Sequence, residues 1–139
     1  KINKFQQIYA SNTDKKILVF GGANAFTDQL CDSIPGGMAY HSNKTKKQKE
    51  LALESFKNDD INVLFSTKAL NQGFDVPNAN MGIMCGITSK ALSMIQRVGR
   101  LIRFQEDKIG KIVIIYVADS QEEKWLKKAT KSLKNVIWE

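Results

Sequence analysis

The chain has 139 residues, 42% of them hydrophobic, and its 21 Lys and Arg against 14 Asp and Glu give a formal net charge of +7. This length suits one domain with a single core, residues 1–139, and is too short for two ordinary domains. The apolar content excludes a disordered basic tail, and no apolar run approaches the ~18 residues that a membrane-spanning helix needs.

Apolar runs and helical periodicities alternate along the chain. The predicted elements are, in chain order, a strand at 16–20, a helix at 24–32, a strand at 38–40, a helix at 45–57, strands at 61–66 and 81–85, a helix at 90–102, a strand at 111–117 and a helix at 121–133. Continuous apolar strands between helices are typical of a mostly parallel sheet with helices on both faces. We therefore predict an α/β domain of three layers.

The loops that follow the strands are the predicted place for function. Ligands of such sheets bind beyond the carboxyl ends of the strands. The segments concerned are 21–24, 41–42, 66–77 and 86–89.

The arginines of this chain are confined to one predicted helix. Arg97, Arg100 and Arg103 are its only arginines, and every other basic residue is a lysine. With Gln96 they occupy an arc of about 120° opposite the apolar face of that helix. A guanidinium grips phosphate bidentately, whereas an ammonium does not. A solvated basic face is the alternative, but Gly99 costs a helix ~1 kcal/mol and calls for a reason such as close backbone approach.

Four segments resemble motifs of superfamily 2 helicases and translocases. The run from Gln96 to Arg103 resembles the Q-R-x-G-R-x-x-R motif VI, and 66–77 resembles motif V. Residues 17–22 are similar to the motif IV strand and loop, and 41–56 are similar to the family's segment that runs from a histidine to a phenylalanine. The resemblance implies the second, C-terminal RecA-like domain of a motor. Starting motif VI with Gln is closest to DNA-handling members of the excision-repair or phage type.

The resemblance implies an ATP site shared with a first RecA-like domain, which would hold the phosphate loop and the Mg²⁺ ligands. Arg100 and Arg103 match arginine fingers, and Gln96 would lie beside them. Gly73 and Asp75 of motif V would approach the nucleotide, with the Asp75 carboxylate on the ribose. Without motif VI, those two residues would indicate only an ordinary turn. The isolated domain is expected to be inactive.

The resemblance also implies contacts with a nucleic-acid backbone, on DNA more than on RNA. The matching residues are Thr67, Lys68, His41 and Gly21. Lysine clusters at 44–49 and 124–134 would attract phosphate without sequence specificity, although such runs are often only solvated faces. His41 is the single histidine, and a lone histidine at a strand end is more often a satisfied structural group. Arg97 is expected to pair with a local carboxylate.

Cys31 and Cys85 indicate buried thiols in a reducing compartment, and no metal site is predicted. The start at Lys1 suggests a fragment of a longer intracellular protein of the cytoplasm or nucleoid, or a phage-encoded one.

The chain contains no G-x-x-x-x-G-K-[ST] loop, so a basic nucleic-acid-binding module without motor activity is the alternative function.

Overall fold

The computed structural model describes residues 1–67, 79–102, 111–133 and 136–138. The strands are β1 (Ile17–Phe20), β2 (Gly37–Tyr40), β3 (Val63–Ser66), β4 (Met81–Met84) and β5 (Lys111–Ile114). The helices are α1 (Ile2–Ala10), α2 (Asn24–Asp32), α3 (Lys46–Lys57), α4 (Ala91–Leu101) and α5 (Gln121–Thr130).

These strands form one parallel sheet in the order β2-β3-β1-β4-β5. Their last residues are level across the sheet: Ser66 lies between Tyr40 and Phe20, and Met84 lies between Phe20 and Ile114. The loops that leave β1, β2, β3 and β4 therefore emerge along one edge. The prediction of a mostly parallel α/β sheet is confirmed.

Alternate side chains of each strand supply two cores, one on each face of the sheet. Leu18 and Phe20 pack with residues of α3, α4 and α5, whereas Ile17 and Val19 pack with residues of α1 and α2. Consecutive residues of a strand thus point to opposite faces of the sheet, as the pleat requires. Helices cover both faces, which confirms the three-layer architecture.

The sequence analysis contains no element before residue 16, yet α1 is a helix of nine residues. Its local signals are weak, since no side chain caps its first turn and no acidic residue lies there. Tertiary packing holds it instead. Phe5 is fully buried, and its ring forms a T-shaped pair with that of Phe65, with centroids 5.7 Å apart.

Several predicted elements are longer than the observed ones. The strands predicted at 61–66 and 111–117 are ladder-paired only over Val63–Ser66 and Lys111–Ile114, and the last helix ends at Thr130. The apolar pattern reports burial and not ladder pairing, so it overestimates strand length: Ile115 is buried and donates to the Met84 carbonyl, yet β5 ends at Ile114. In the described part of the chain, no helix has the length and apolar character needed to cross a membrane.

Candidate functional site

Three strand-end loops are tied together by the side chain of Asn24. The Thr67 hydroxyl, just after β3, donates to Asn24 Oδ1 at 2.6 Å. Asn24 Nδ2 donates to the Oγ of Ser42, in the loop after β2, at 3.0 Å. The hydroxyl oxygens of Thr67 and Thr27 are 3.2 Å apart. Segments 21–24 and 41–42 were predicted to lie with the start of 66–77 beyond the carboxyl ends of the strands. Their contacts show that they meet at this edge of the sheet, the carboxyl edge.

Glycines allow the loops after β1 and β4 to touch. A Cβ on Gly86 would lie 2.6 Å from both the Gly21 carbonyl oxygen and the Gly22 Cα, so a side chain there would collide with backbone. Gly22 has φ +86°, which favours glycine. Gly21 is buried, and its N–H donates to the Ser66 carbonyl at 2.9 Å. The turn after β1 is thus held against both neighbouring strand ends.

His41 faces inward. Its side chain is only 1% exposed, and its Nε2 lies 2.8 Å from Asp28 Oδ1. The backbone N–H of Asn43 donates to Nδ1 at 3.2 Å, so Nδ1 is an acceptor, and Nε2–H donates a hydrogen bond to the Asp28 carboxylate. This hydrogen bond holds the pKa of Asp28 below its usual value, and Lys44 Nζ, at 3.5 Å, adds to the effect. The ring therefore fixes the loop after β2.

Helix α4 separates an apolar face from a polar one. The buried residues Ala91, Ile95, Val98 and Ile102 pack onto the sheet. Gln96 and Arg97 are exposed on the other side, as predicted for the helix whose sequence resembles motif VI. Among the described residues no carboxylate pairs with Arg97, and Asp75, Glu106 and Asp107 lie outside them, so the expected local ion pair stays a prediction.

Gly99 shows no close approach among the residues that the structure describes. A Cβ at this position would meet only Ile112 Cδ1, at 4.0 Å, an ordinary van der Waals distance. The contrast is Gly82 of β4, under the same helix, where a Cβ would lie 2.8 Å from Val98 Cγ1. The described residues thus give no close backbone approach at Gly99, the reason that the sequence suggested for a glycine there, and the tight contact lies at Gly82, against the side chain of Val98.

Several predicted site residues lie outside the described part of the chain. They are Lys68, Gly73, Asp75 and Arg103. The backbone of Arg100 belongs to α4, but its side chain also lies outside the description. The roles assigned to these residues stay predictions.

A second polar link joins the start of α1 to the residue after β4 and to the first turn of α5. Lys1 Nζ donates to the Cys85 carbonyl and to Glu122 Oε2, each at 2.7 Å. The other carboxylate oxygen of Glu122 accepts the N–H of Val117 at 3.0 Å. Sequence reasoning missed this link, and it missed Asn24 and Asp28, because no local pattern marks a polar residue whose partner is distant in the chain.

The two cysteines are free thiols. Burial raises the pKa of Cys85 to about 12 and that of Cys31 to about 11, so both stay protonated at neutral pH. Among the described residues, no three His, Cys, Asp or Glu side chains lie close enough together to hold a metal ion.

Comparisons with known proteins agree with this geometry. Pre-mRNA-splicing ATP-dependent RNA helicase PRP28 of Pyricularia oryzae is 30% identical over 92 residues, which are 63% of this chain and 14% of that protein. DNA 3'-5' translocase XPB2 of Sulfurisphaera tokodaii is 26% identical over 126 residues, 83% of this chain and 26% of the relative. The chain thus spans about a quarter or less of these curated relatives.

Solved structures show the same fold. The C-terminal domain of Dbp5 from S. cerevisiae superposes with a TM-score of 0.74 at 16% identity, covering 97% of this chain and 80% of that one. Residues 1–105 match the helicase conserved C-terminal domain. With the parallel sheet, its strand-end loops and the polar face of α4, this match identifies the chain as a member of the helicase conserved C-terminal domain family.

Proposed function

We propose that this chain is the second motor domain of an ATP-dependent helicase or translocase that acts on nucleic acid. In this proposal residues 1–139 are one part of a larger protein. The domain supplies Arg100 and Arg103 as arginine fingers to an ATP site that it shares with a first RecA-like domain. Gly73 and Asp75 face the nucleotide, and the first domain holds Mg²⁺.

The placement of α4 carries the proposal. Its apolar face is anchored on the sheet, and Gln96 and Arg97 are exposed on the opposite face. Position 100 follows them by four and three residues, so the helical register puts it on the same face. A guanidinium on an anchored helix can reach a γ-phosphate only when a second domain closes on that face. Stabilisation of transition-state charge is the role of such a finger.

The carboxyl edge supports contact with a nucleic-acid backbone. Lys46 and Lys47 open α3, where no acidic residue lies and where the helix dipole disfavours positive charge. They directly follow the loop at 41–45, in which Ser42 is hydrogen-bonded to Asn24, and both are exposed. An anion at this edge would relieve the repulsion. Thr67, Lys68 and the Gly21 turn would contact phosphate, while the inward His41 would position its loop.

Phosphate contacts carry no sequence information, so binding is independent of sequence. The relatives bear names of both RNA helicases and a DNA translocase. Within the proposal, Gln96 at the start of motif VI favours DNA.

The test is Arg100→Ala in the complete motor. We expect ATP binding to be retained and nucleic-acid-stimulated hydrolysis to fall by roughly 10³-fold or more, because a finger stabilises the transition state rather than the ground state. Arg97→Ala is the matched control, since it removes an exposed guanidinium from the same helix and should cost far less. Unchanged turnover in Arg100→Ala would contradict the finger assignment.

The alternative is a basic nucleic-acid-binding module without motor activity, which the exposed lysines of α3 and α5 favour. Sequencing the complete gene separates the two. The motor requires a G-x-x-x-x-G-K-[ST] loop and an Asp-Glu pair in a preceding domain, and a gene without them supports the binding module.

A further inference from the structure

The side chain of Asn24 uses both ends of its amide. Its Oδ1 accepts the hydroxyl proton of Thr67 at 2.6 Å, and its Nδ2 donates to the hydroxyl oxygen of Ser42 at 3.0 Å. β3 lies between β2 and β1, so this one side chain spans the ends of three adjacent strands. A shift of the loop after β2 would therefore also affect Thr67, the first residue after β3.

A hydroxyl has a single proton, which it can direct to one acceptor at a time. The Thr67 proton is directed to Asn24 Oδ1, which can only accept, and the Thr27 hydroxyl can donate either to the Ala23 carbonyl at 2.7 Å or to the Thr67 oxygen at 3.2 Å. The Ser42 oxygen accepts from Asn24, while its own proton has no acceptor among the described residues. Ser42 is also exposed, whereas Thr67 is half-buried. Ser42 is thus the member of this cluster whose hydroxyl is ready to donate outward.

A phosphodiester oxygen accepts hydrogen bonds and cannot donate them. Thr67 could donate to phosphate only by leaving Asn24, whereas Ser42 could donate without breaking any bond. Lys44, Lys46 and Lys47 follow Ser42 closely in the chain and add positive charge beside it.

We propose that Ser42 is a further phosphate-contacting residue, and that Asn24 is the positioning residue that orients it and ties it to Thr67. The ligand is a backbone phosphodiester of nucleic acid. The inference rests on the proposed function, since it requires that nucleic acid passes over this edge of the sheet. It makes the β2 loop a donor in its own right, beside Thr67 and Lys68.

The experiment measures binding of fluorescently labelled oligothymidylate and oligouridylate to the 139-residue chain by anisotropy, at one fixed salt concentration. Ser42→Ala should weaken binding about five-fold, the effect of one net hydrogen bond. Ser42→Thr keeps the hydroxyl and should restore binding. Asn43→Ala is the matched control in the same loop and should bind as the wild type does. The two oligonucleotides separate a DNA from an RNA backbone as the source of the phosphate.

A double-mutant cycle tests the positioning role of Asn24. Asn24→Ala should also weaken binding about five-fold. The double variant, Asn24→Ala with Ser42→Ala, should bind about as weakly as the weaker-binding single variant, because both changes remove the same contact. Losses that multiply in the double variant would overturn the role of Asn24. Thermal unfolding of each variant verifies the fold, and the exposed Ser42 keeps the test decisive if Asn24→Ala is unstable.

Two results distinguish this inference from the proposed function. If the wild-type chain binds neither oligonucleotide, the proposed nucleic-acid contact at this edge of the sheet and the role of Ser42 both fall. If the wild type binds, and Lys46→Gln with Lys47→Gln weakens binding while Ser42→Ala does not, the proposed function stands and the role of Ser42 is overturned.

Discussion

At the scale of single residues, the loop after β2 depends on an inward-facing imidazole. His41 donates through Nε2 to Asp28 and accepts the Asn43 N–H at Nδ1, so one tautomer satisfies both partners. The sequence left two roles open for His41, a satisfied structural group and a backbone contact. Its side chain, 1% exposed, favours the first, because a ring in this position can reach phosphate only by leaving Asp28.

Asp28 gives this arrangement a pH dependence. Its pKa is lowered from 3.8 in the folded chain, chiefly by the hydrogen bond from His41. A carboxyl of this kind stabilises the fold above its unfolded-state pKa and loses that contribution as pH falls through the folded one. We therefore expect wild type to be more stable than Asp28→Asn at neutral pH, and the gap in unfolding free energy to shrink as pH falls below 3.8.

Urea unfolding of both proteins from neutral to acidic pH measures this gap. Asp32→Asn, on the same helix and exposed, is the control for the loss of one carboxylate. A gap that stays constant over the whole range would show that Asp28 acts through packing and not through its charge.

At the scale of elements, α4 and the strand beneath it use two glycines differently. A Cβ on Gly82 would lie 2.8 Å from Val98 Cγ1 and 3.4 Å from Ile102 Cδ1, whereas one on Gly99 has ordinary contact with Ile112. Gly82 therefore sets the distance at which α4 packs on β4. Gly99 is a helix-interior glycine that the described residues do not require.

The paired substitutions Gly82→Ala and Gly99→Ala should have opposite signs. Gly82→Ala should lower the free energy of unfolding by about 1–3 kcal/mol through overpacking. Gly99→Ala should raise it by about 1 kcal/mol through helix propensity. Denaturant unfolding of the two variants checks both values. If Gly99→Ala destabilises the chain, close approach at this position is needed for the fold after all.

At the scale of the whole molecule, the lysines that contribute to the net charge of +7 differ in how close they lie to the candidate interface. The lysines that open α3 adjoin the loop after β2, while Lys128 and Lys131 lie at the far end of α5. α5 starts after the carboxyl end of β5 and rises about 1.5 Å per residue away from it. The two lysine groups thus sit at opposite ends of their helices with respect to the candidate interface.

Two variants of equal net charge test this difference. Lys46→Gln with Lys47→Gln should weaken binding to single-stranded nucleic acid and reduce the slope of log K against log salt by about 0.7 for each lysine that contacts a phosphate. Lys128→Gln with Lys131→Gln should leave the slope nearly unchanged. Titrations at several salt concentrations measure it. Equal losses in both variants would indicate a diffuse field rather than a defined interface.

The local pattern of apolar residues was sufficient to predict the strands and four of the five described helices, including the amphipathic α4. Apolar side chains recur with the period of the element that buries them, and this period can be read over a few residues, as at Ile17–Phe20 and Ala91–Leu101. The Gly21-Gly22 turn after β1 could also be predicted, because two glycines directly follow an apolar run.

The tertiary structure was needed for α1, for the strand order and for the site network. Phe5 finds its partner Phe65 sixty residues away, and Asn24 meets Ser42 and Thr67 only because β3 inserts between β2 and β1. Such contacts depend on which strands pair and on which loops then become neighbours. A polar side chain shows no period from which its distant partner could be inferred, and so Asn24 acquires its meaning only in the folded chain.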